Sequence, residues 1–302
     1  MFIIGIRHSS RLNLQGLACQ PRSRNGSNFY MPASSAITRH HLSLLAMIVL
    51  VPTALWAQKK EENTIKERFE EFTKTEWKEV FHDPCTGDWK ERWTLDGEVA
   101  TVTNAHNGME LKAGPEPKND AHHAVLWTKQ EFMGDLRIDY EYTPTDEQFQ
   151  FVSILYIQAT GSGKKGFDAD ISKWADQRKV PSMRTYYANM NLYHISYNAY
   201  GADKSPGLDY VRGRRYMCAE LKGTELENEY KETGFFQQSV PHQITVIKRD
   251  KEVFMHIRAG DKEQLCHFVN NKFPAVTKGR IGLRHMFTRS ARYKDFKISA
   301  RP

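Results

Sequence analysis

The stretch 191–201, NLYHISYNAYG, places Asn191, His194, Ser196, Tyr197 and Asn198 on what reads as one β-strand ending at Gly201. A strand buried on both faces should not hold so many hydrogen-bonding side chains, because each buried polar group needs a partner. His and Tyr are proton-transfer groups. His194 therefore reads as a candidate acid or base, with His123 and Tyr197 beside it by type. Arg284 follows the apolar run Ile281-Gly282-Leu283 and precedes His285. An arginine in such a strand is costly to bury alone, so it either pairs with a core acid or binds a carboxylate ligand. Arg212, Arg214 and Arg215 form a second basic cluster, read chiefly as solvated. Asp139 and Glu141 alternate along one strand, as a pair of glycosidase carboxylates would. Alternation with Ile138, Tyr140 and Tyr142 marks them instead as a solvated outer face. The chain contains no GxSxG, HExxH, P-loop or Rossmann glycine pattern.

Extended geometry puts His194 and Ser196 on one face and Asn191 and Tyr197 on the other. Bringing both sets to one groove requires a bulge near Ile195 or a strand end at Tyr197. Trp89, Trp93, Trp127 and Tyr293 read as core aromatics, and Asp295 as a brace of the last strand.

The elements that must position these residues lie in the C-terminal three quarters of the chain. Residues 1–57 read as a leader ending in a signal peptide. A basic flank precedes the apolar run 42–57, which has the length of a signal-peptide core and is short for a membrane span. Cleavage is expected between Ala57 and Gln58, giving a periplasmic or secreted protein without stable membrane insertion. Setting aside the five arginines of 1–57 leaves 38 basic residues against 36 acidic, a net charge of +2. That composition makes no case for a nucleic-acid partner. Cys85, Cys218 and Cys266 remain, without a CxxC, which argues against a zinc ribbon and allows one bridge with a free thiol. Neither a metal nor a cofactor is expected.

Residues 58–80 form a charged linker or short helix with Ile65, Phe69, Phe72 and Trp77 loosely on one face. From 81 to 302 the pattern is all-β. Ten strands are predicted at 98–104, 108–114, 123–129, 136–144, 150–160, 192–200, 242–250, 252–260, 279–287 and 291–300. Such strands and turns imply an antiparallel β-sandwich or jelly roll. The stretches 161–188 and 199–240 read as long loops over one open face.

Three blocks, DAHHAVLW, NLYHISY and KGRIGLRHMFTRSARYKDFKI, resemble matching blocks of the YesU-like proteins, domain-of-unknown-function family 1961, over roughly residues 80–299. The resemblance implies a concanavalin A-like jelly roll with a concave sheet. It also implies work on uronic-acid polysaccharides, some members being associated with removal of water from a uronic acid at an oligosaccharide end. The matching positions are His123 and Trp127, then Asn191, His194, Ser196 and Tyr197, then Gly279, Ile281, Gly282, Arg284, Met286, Tyr293, Asp295 and Phe296; Arg215 matches more loosely. The insert around 225–232 is longer than the family's.

The expected activity is therefore a carbon–oxygen lyase or dehydratase on a uronate oligosaccharide. Arg284, with Arg215 second, would neutralise the sugar carboxylate. His194, His123 and Tyr197 would move protons, with acid and base left open. Asn191, Ser196, Arg215 and His285 would bind substrate. A non-catalytic carbohydrate-binding protein is the alternative, and a two-carboxylate hydrolase ranks lowest. His123, Asn191, His194, Tyr197, Arg215 and Arg284 are expected to converge on one solvent-reachable groove.

Overall fold

Along Leu136–Pro144, Leu136, Ile138, Tyr140 and Tyr142 are buried while Arg137, Asp139 and Glu141 are half-exposed. This period of two is that of a strand with one face on a core. The computed structural model describes residues 40–147, 150–200 and 209–302, with side chains from residue 56 onward except that of residue 200. The predicted leader falls largely on residues 1–55, outside the described side chains, while the expected cleavage point Ala57-Gln58 lies within the helix His40–Lys74. No helix among the described residues is long and apolar enough to cross a membrane.

In chain order the elements are helix α1 (His40–Lys74), then strands β1 (Lys78–Asp83), β2 (Trp93–Asp96), β3 (Thr101–Ala105), β4 (Gly108–Lys112), β5 (Ala124–Thr128), β6 (Phe132–Met133), β7 (Leu136–Pro144) and β8 (Phe151–Gly161). A 3-10 segment (Ile171–Arg178) and helix α2 (Met183–Asn189) follow. The chain continues through β9 (Met190–Tyr200), β10 (Asp209–Met217), β11 (Glu225–Lys231), β12 (His242–Arg249), β13 (Glu252–Ala259), β14 (Lys262–Val269), β15 (Lys278–His285) and β16 (Ser290–Ala300).

Six strands form one sheet in the order β2-β5-β15-β8-β9-β10, and seven form a second, β14-β13-β12-β7-β16-β4-β3, with β1 added to β16. Strand β11 pairs with β10 on one side and β14 on the other, joining the sheets along one edge. All these pairings are antiparallel. Between the sheets lies the main core, including Leu126, Leu155, Ile157, Ile195, Ile281 and Leu283 from the first and Ile138, Val246, Met255 and Ile298 from the second. The expected sandwich is present.

Both outer faces are partly covered. On the seven-stranded sheet, α1 lays Phe69 and Phe72 against Ile247 and Phe254, with Ile65 and Trp77 alongside. These are the four apolar residues that the spacing predicted on one face. Full burial of such side chains contributes about 1.5–3 kcal/mol each. The Trp77 indole donates to the Phe72 carbonyl at 2.9 Å, satisfying one of the acceptors left at a helix end.

On the six-stranded sheet the outer face is covered by 162–189, as predicted for the first long loop. The second predicted loop, 199–240, is corrected: Asp209–Met217 and Glu225–Lys231 are strands β10 and β11, and 201–208 lie outside the described residues. Cross-strand pairs Arg212–Glu229 and Arg214–Glu225 explain how such polar sequences form a ladder. The one bridge that the cysteine count allowed is not formed: Cys85, Cys218 and Cys266 are all free.

Candidate functional site

Four predicted site residues come together on the outer face of the six-stranded sheet. His194 and Ser196 project from β9 and Arg284 from β15, while His123 immediately precedes β5. Strand β8 runs between β9 and β15 and places Tyr156 beside His194, with Gly282 on its other side. Tyr216 of β10 completes the row.

His194 is held on both ring nitrogens. Nδ1 meets the Tyr216 hydroxyl at 2.6 Å and Nε2 the Ser196 hydroxyl at 2.7 Å. Burial, together with the charges of Arg214, Arg212 and Arg284, pushes its pKa well below the usual imidazole value. The ring is therefore neutral at physiological pH.

Arg284 is fully buried. Its Nη2 donates to His123 Nδ1 at 2.8 Å and to the Pro181 carbonyl at 2.6 Å, and its guanidinium lies 4.6 Å from the Tyr186 ring centroid. His123 Nδ1 also lies 3.1 Å from the Pro181 carbonyl, so it accepts from Arg284 in one tautomer and donates to Pro181 in the other. Burial and the Arg284 charge push the His123 pKa down to about 3. By strict hydrogen-bond geometry Arg284 Nε and Nη1, His123 Nε2 and the Tyr156 hydroxyl are buried without a partner, although the Tyr156 hydroxyl lies close enough to Arg284 and Tyr216 to interact with both. Among the described residues no carboxylate forms an ion pair with Arg284. Such a concentration of unanswered donors is unusual, since buried polar groups in native proteins are nearly all paired.

The segment over this face is tied to the sheet through Asp96, at the end of β2. Its Oδ2 accepts from the Trp127 indole at 2.7 Å, Arg178 Nε at 2.6 Å and the Tyr186 hydroxyl at 2.9 Å. Trp127 and Tyr186 in turn stack on Tyr156, at 5.5 and 5.9 Å between centroids. Gly282 makes room for this stack: a Cβ there would lie 2.5 Å from Trp127 Cζ3. Gly282→Ala should lower stability by about 1–3 kcal/mol through overpacking. A fall in the urea midpoint with an unchanged slope would show it.

Asp96, Tyr156, Arg178, Tyr186 and Tyr216 were not singled out in the sequence. Tyr156 and Tyr216 lie on the face opposite the main core residues Leu155, Ile157 and Val211, among apolar or charged neighbours that give them no distinctive signal, and Asp96 precedes a glycine like any turn aspartate. Only the folded sheet reveals that they meet.

The expectation of one solvent-reachable groove is corrected in two respects. First, the face is roofed, with His123, His194, Ser196 and Arg284 all buried. Second, the other predicted residues do not join them. Tyr197 points between the sheets, edge-on to Tyr142, with its hydroxyl 3.5 Å from that of Tyr293. His285, next to Arg284 on a strand, necessarily takes the opposite face and bonds the Tyr293 hydroxyl at 2.8 Å. Arg215 has the core-side parity of Val211; it donates to the carbonyls of Pro274 and Tyr216, and burial lowers its pKa to about 10. Asn191 is half-exposed and donates to the Thr160 hydroxyl at 3.4 Å. The register of β9 slips against both neighbours around Asn198, which has a φ of 46°. That bulge comes after Tyr197, too late to turn it onto the face of His194.

The acids Asp139 and Glu141 lie on the outer face of the seven-stranded sheet, bonded to Arg137, Thr245 and Gln243. Among the described residues no group of three or more His, Cys, Asp or Glu side chains could hold a metal ion. A cavity of about 710 Å³ opens beside α1, lined by Ile65, Phe69, Tyr230, His256 and Leu265 among others. None of the unpartnered buried atoms lines it, so it is a weaker candidate than the polar cluster around Arg284.

The two sheets and their connections define a concanavalin A-like β-sandwich of the galectin type. The sequence profile of a domain of unknown function, DUF1961, matches residues 85–298, and the chain belongs to that family. A protein of unknown function with a galectin-like fold from Bacillus subtilis is similar over 75% of this chain and 100% of its own, with a TM-score of 0.54 and 16% identity. The exoplasmic/lumenal domain of VIP36 matches over 74% of this chain and 89% of its own, with a TM-score of 0.48 and 10% identity. A basic winged bean lectin matches over 74% and 98%, with a TM-score of 0.47 and 7% identity. No curated protein matches.

Proposed function

We propose that the protein is exported and takes a uronic-acid oligosaccharide on the outer face of the six-stranded sheet, where it eliminates across the bond beside the sugar carboxylate. The observation that carries this reading is Arg284, a fully buried cation with unanswered Nε and Nη1 donors and no carboxylate of its own. A ligand carboxylate would satisfy that charge and those donors together. The unpartnered His123 Nε2 beside it, and the Tyr156 hydroxyl close to Arg284 and Tyr216, suit the ligand's remaining oxygens.

The chemistry follows from the neighbours. An arginine-bound carboxylate makes the adjacent C–H more acidic by stabilising the charge that develops when it ionises. A base removes that proton, the electron pair forms the new C=C bond, and the C–O bond on the next carbon breaks toward an acid. Neutral His194, oriented by Tyr216 and Ser196, and Tyr156, its neighbour across the β8–β9 ladder at 5.6 Å between centroids, are groups of the right type for these transfers. Export rests on the basic flank and apolar run of 1–57.

A binding-only reading is favoured by one observation: both His194 nitrogens already hold internal partners. Incubation with uronic-acid oligosaccharides separates the two. Elimination yields an unsaturated, ultraviolet-absorbing product, and His194→Ala should abolish it while leaving binding nearly intact. Binding by calorimetry with no such product would establish the binding-only reading. In either case Arg284→Lys should weaken binding at least about tenfold, since lysine keeps the charge but not the planar fork. Wild-type protein that binds no uronate would end the proposal.

A further inference from the structure

The roof over Arg284 has the chemistry of a bound ligand. The carbonyl oxygen of Pro181 accepts from Arg284 Nη2 at 2.6 Å, where a carboxylate oxygen would sit. The ring of Tyr186 lies over the guanidinium at 4.6 Å and stacks on Tyr156 and Trp127 with interplanar angles of 13° and 16°. One oxygen acceptor and one six-membered ring, five residues apart in the chain, thus occupy the cation and the aromatic floor.

The segment that presents them is short, with Met183 and Tyr187 packed partly against the cluster beneath it. Helix α2 has seven residues, of which Tyr186 alone is buried. A helix that short does not persist without its packing. The preceding 3-10 segment has anchors of its own in buried Ile171 and Trp174, and shares the Asp96 carboxylate with Tyr186 through Arg178. Tyr186 is pinned at its tip by the single bond to Asp96.

Resting on the reading of this face as the sugar site, we propose that residues 181–189 are an autoinhibitory plug: Pro181 and Tyr186 stand in for the carboxylate and ring of a uronate, and the site becomes competent only when α2 swings out. The plug keeps the buried arginine partly satisfied in the absence of sugar. Closure then lowers the apparent affinity by the fraction of time the site is open. A plug open about one tenth of the time weakens binding about tenfold.

Two measurements on the full chain test this. The first is hydrogen exchange without ligand. Amides of 183–189 should exchange by local opening, at least about a hundredfold faster than those of β8 and β9. Tyr186→Phe, which keeps the ring but loses the Asp96 bond, should speed that opening further. Exchange of 183–189 only with unfolding of the whole sheet overturns the proposal. The second is binding of a uronic-acid disaccharide. Tyr186→Ala should bind it about tenfold more tightly than wild type. Wild-type binding with equal or weaker binding by Tyr186→Ala makes Tyr186 a wall of the site and overturns the plug alone. Absence of binding by both proteins removes the sugar reading and the plug with it.

Discussion

Acidification from pH 7.5 to pH 5 should destabilise the protein by on the order of 5–8 kcal/mol, a large share of a typical domain's stability. The cause is a set of imidazoles buried as neutral rings. Burial pushes His123 and His285 down to about 3 and His242 to about 4, and His194 well below the usual value. In the unfolded chain each returns to about 6.5. As pH falls below that value the unfolded chain takes up four protons that the folded chain refuses. Stability is therefore complete above about 6.5 and is lost at up to about 1.4 kcal/mol per pH unit for each ring. Asp96 runs the other way: burial pushes its carboxyl up despite Arg178, so acid relieves part of its cost. It is one group against four. Urea unfolding at both pH values measures the effect, and His242→Gln should reduce the slope by about one proton. A midpoint that does not move between pH 7.5 and pH 5 would show that these rings are solvated in the fold.

How much of this was legible in the sequence depended on what each strand faces. All ten predicted strands exist: alternation marks half-exposed ones such as β7, while β5 and β8, buried along nearly their whole length, are legible from their runs of apolar β-forming residues. Strands β10 and β11 were read as loop because their sequences, VRGRRYM and ELENEYK, are rich in charge. In the structure those charges pair across the strands, Arg212 with Glu229 and Arg214 with Glu225, which no period reveals. Strand β14 was hidden similarly, its first residues Lys262 and Glu263 being exposed.

The candidate site shows the same divide. Strand parity put His194 and Ser196 on one face, and it separates Arg284 from His285. Parity is silent on what covers a face, so the groove was expected open. The cover is fixed by Asp96, Arg178 and Tyr186, which are 82 and 90 residues apart along the chain at their two bonds. Long-range polar ties of this kind leave no local signature.

Removing that tie should have the largest effect of any single substitution on the roofed face. Asp96→Ala is expected to cost about 3–5 kcal/mol, because it leaves Arg178 buried and uncompensated. Arg178 is 2% exposed, and among the described residues its side chain bonds, apart from Asp96, the carbonyls of Ile171 and Trp174. Its guanidinium also lies 4.4 Å from the Trp174 ring centroid, so it has no easy route to water. Trp127 and Tyr186 would lose their acceptor at the same time, each at about 1–3 kcal/mol if left dry, although such losses do not add in one network. The double substitution Asp96→Ala with Arg178→Met should recover a good part of the loss, since an apolar pair of similar volume often replaces a buried ion pair at little cost. Urea denaturation of the two single variants and the double variant gives the coupling directly. Strong coupling identifies the Arg178 charge as the source of the cost. Equal stabilities for Asp96→Ala and the double variant would place it instead in Trp127 and Tyr186. Tyr186→Phe, which removes one of those donors without touching the charge, would then account for a large part of the Asp96→Ala effect.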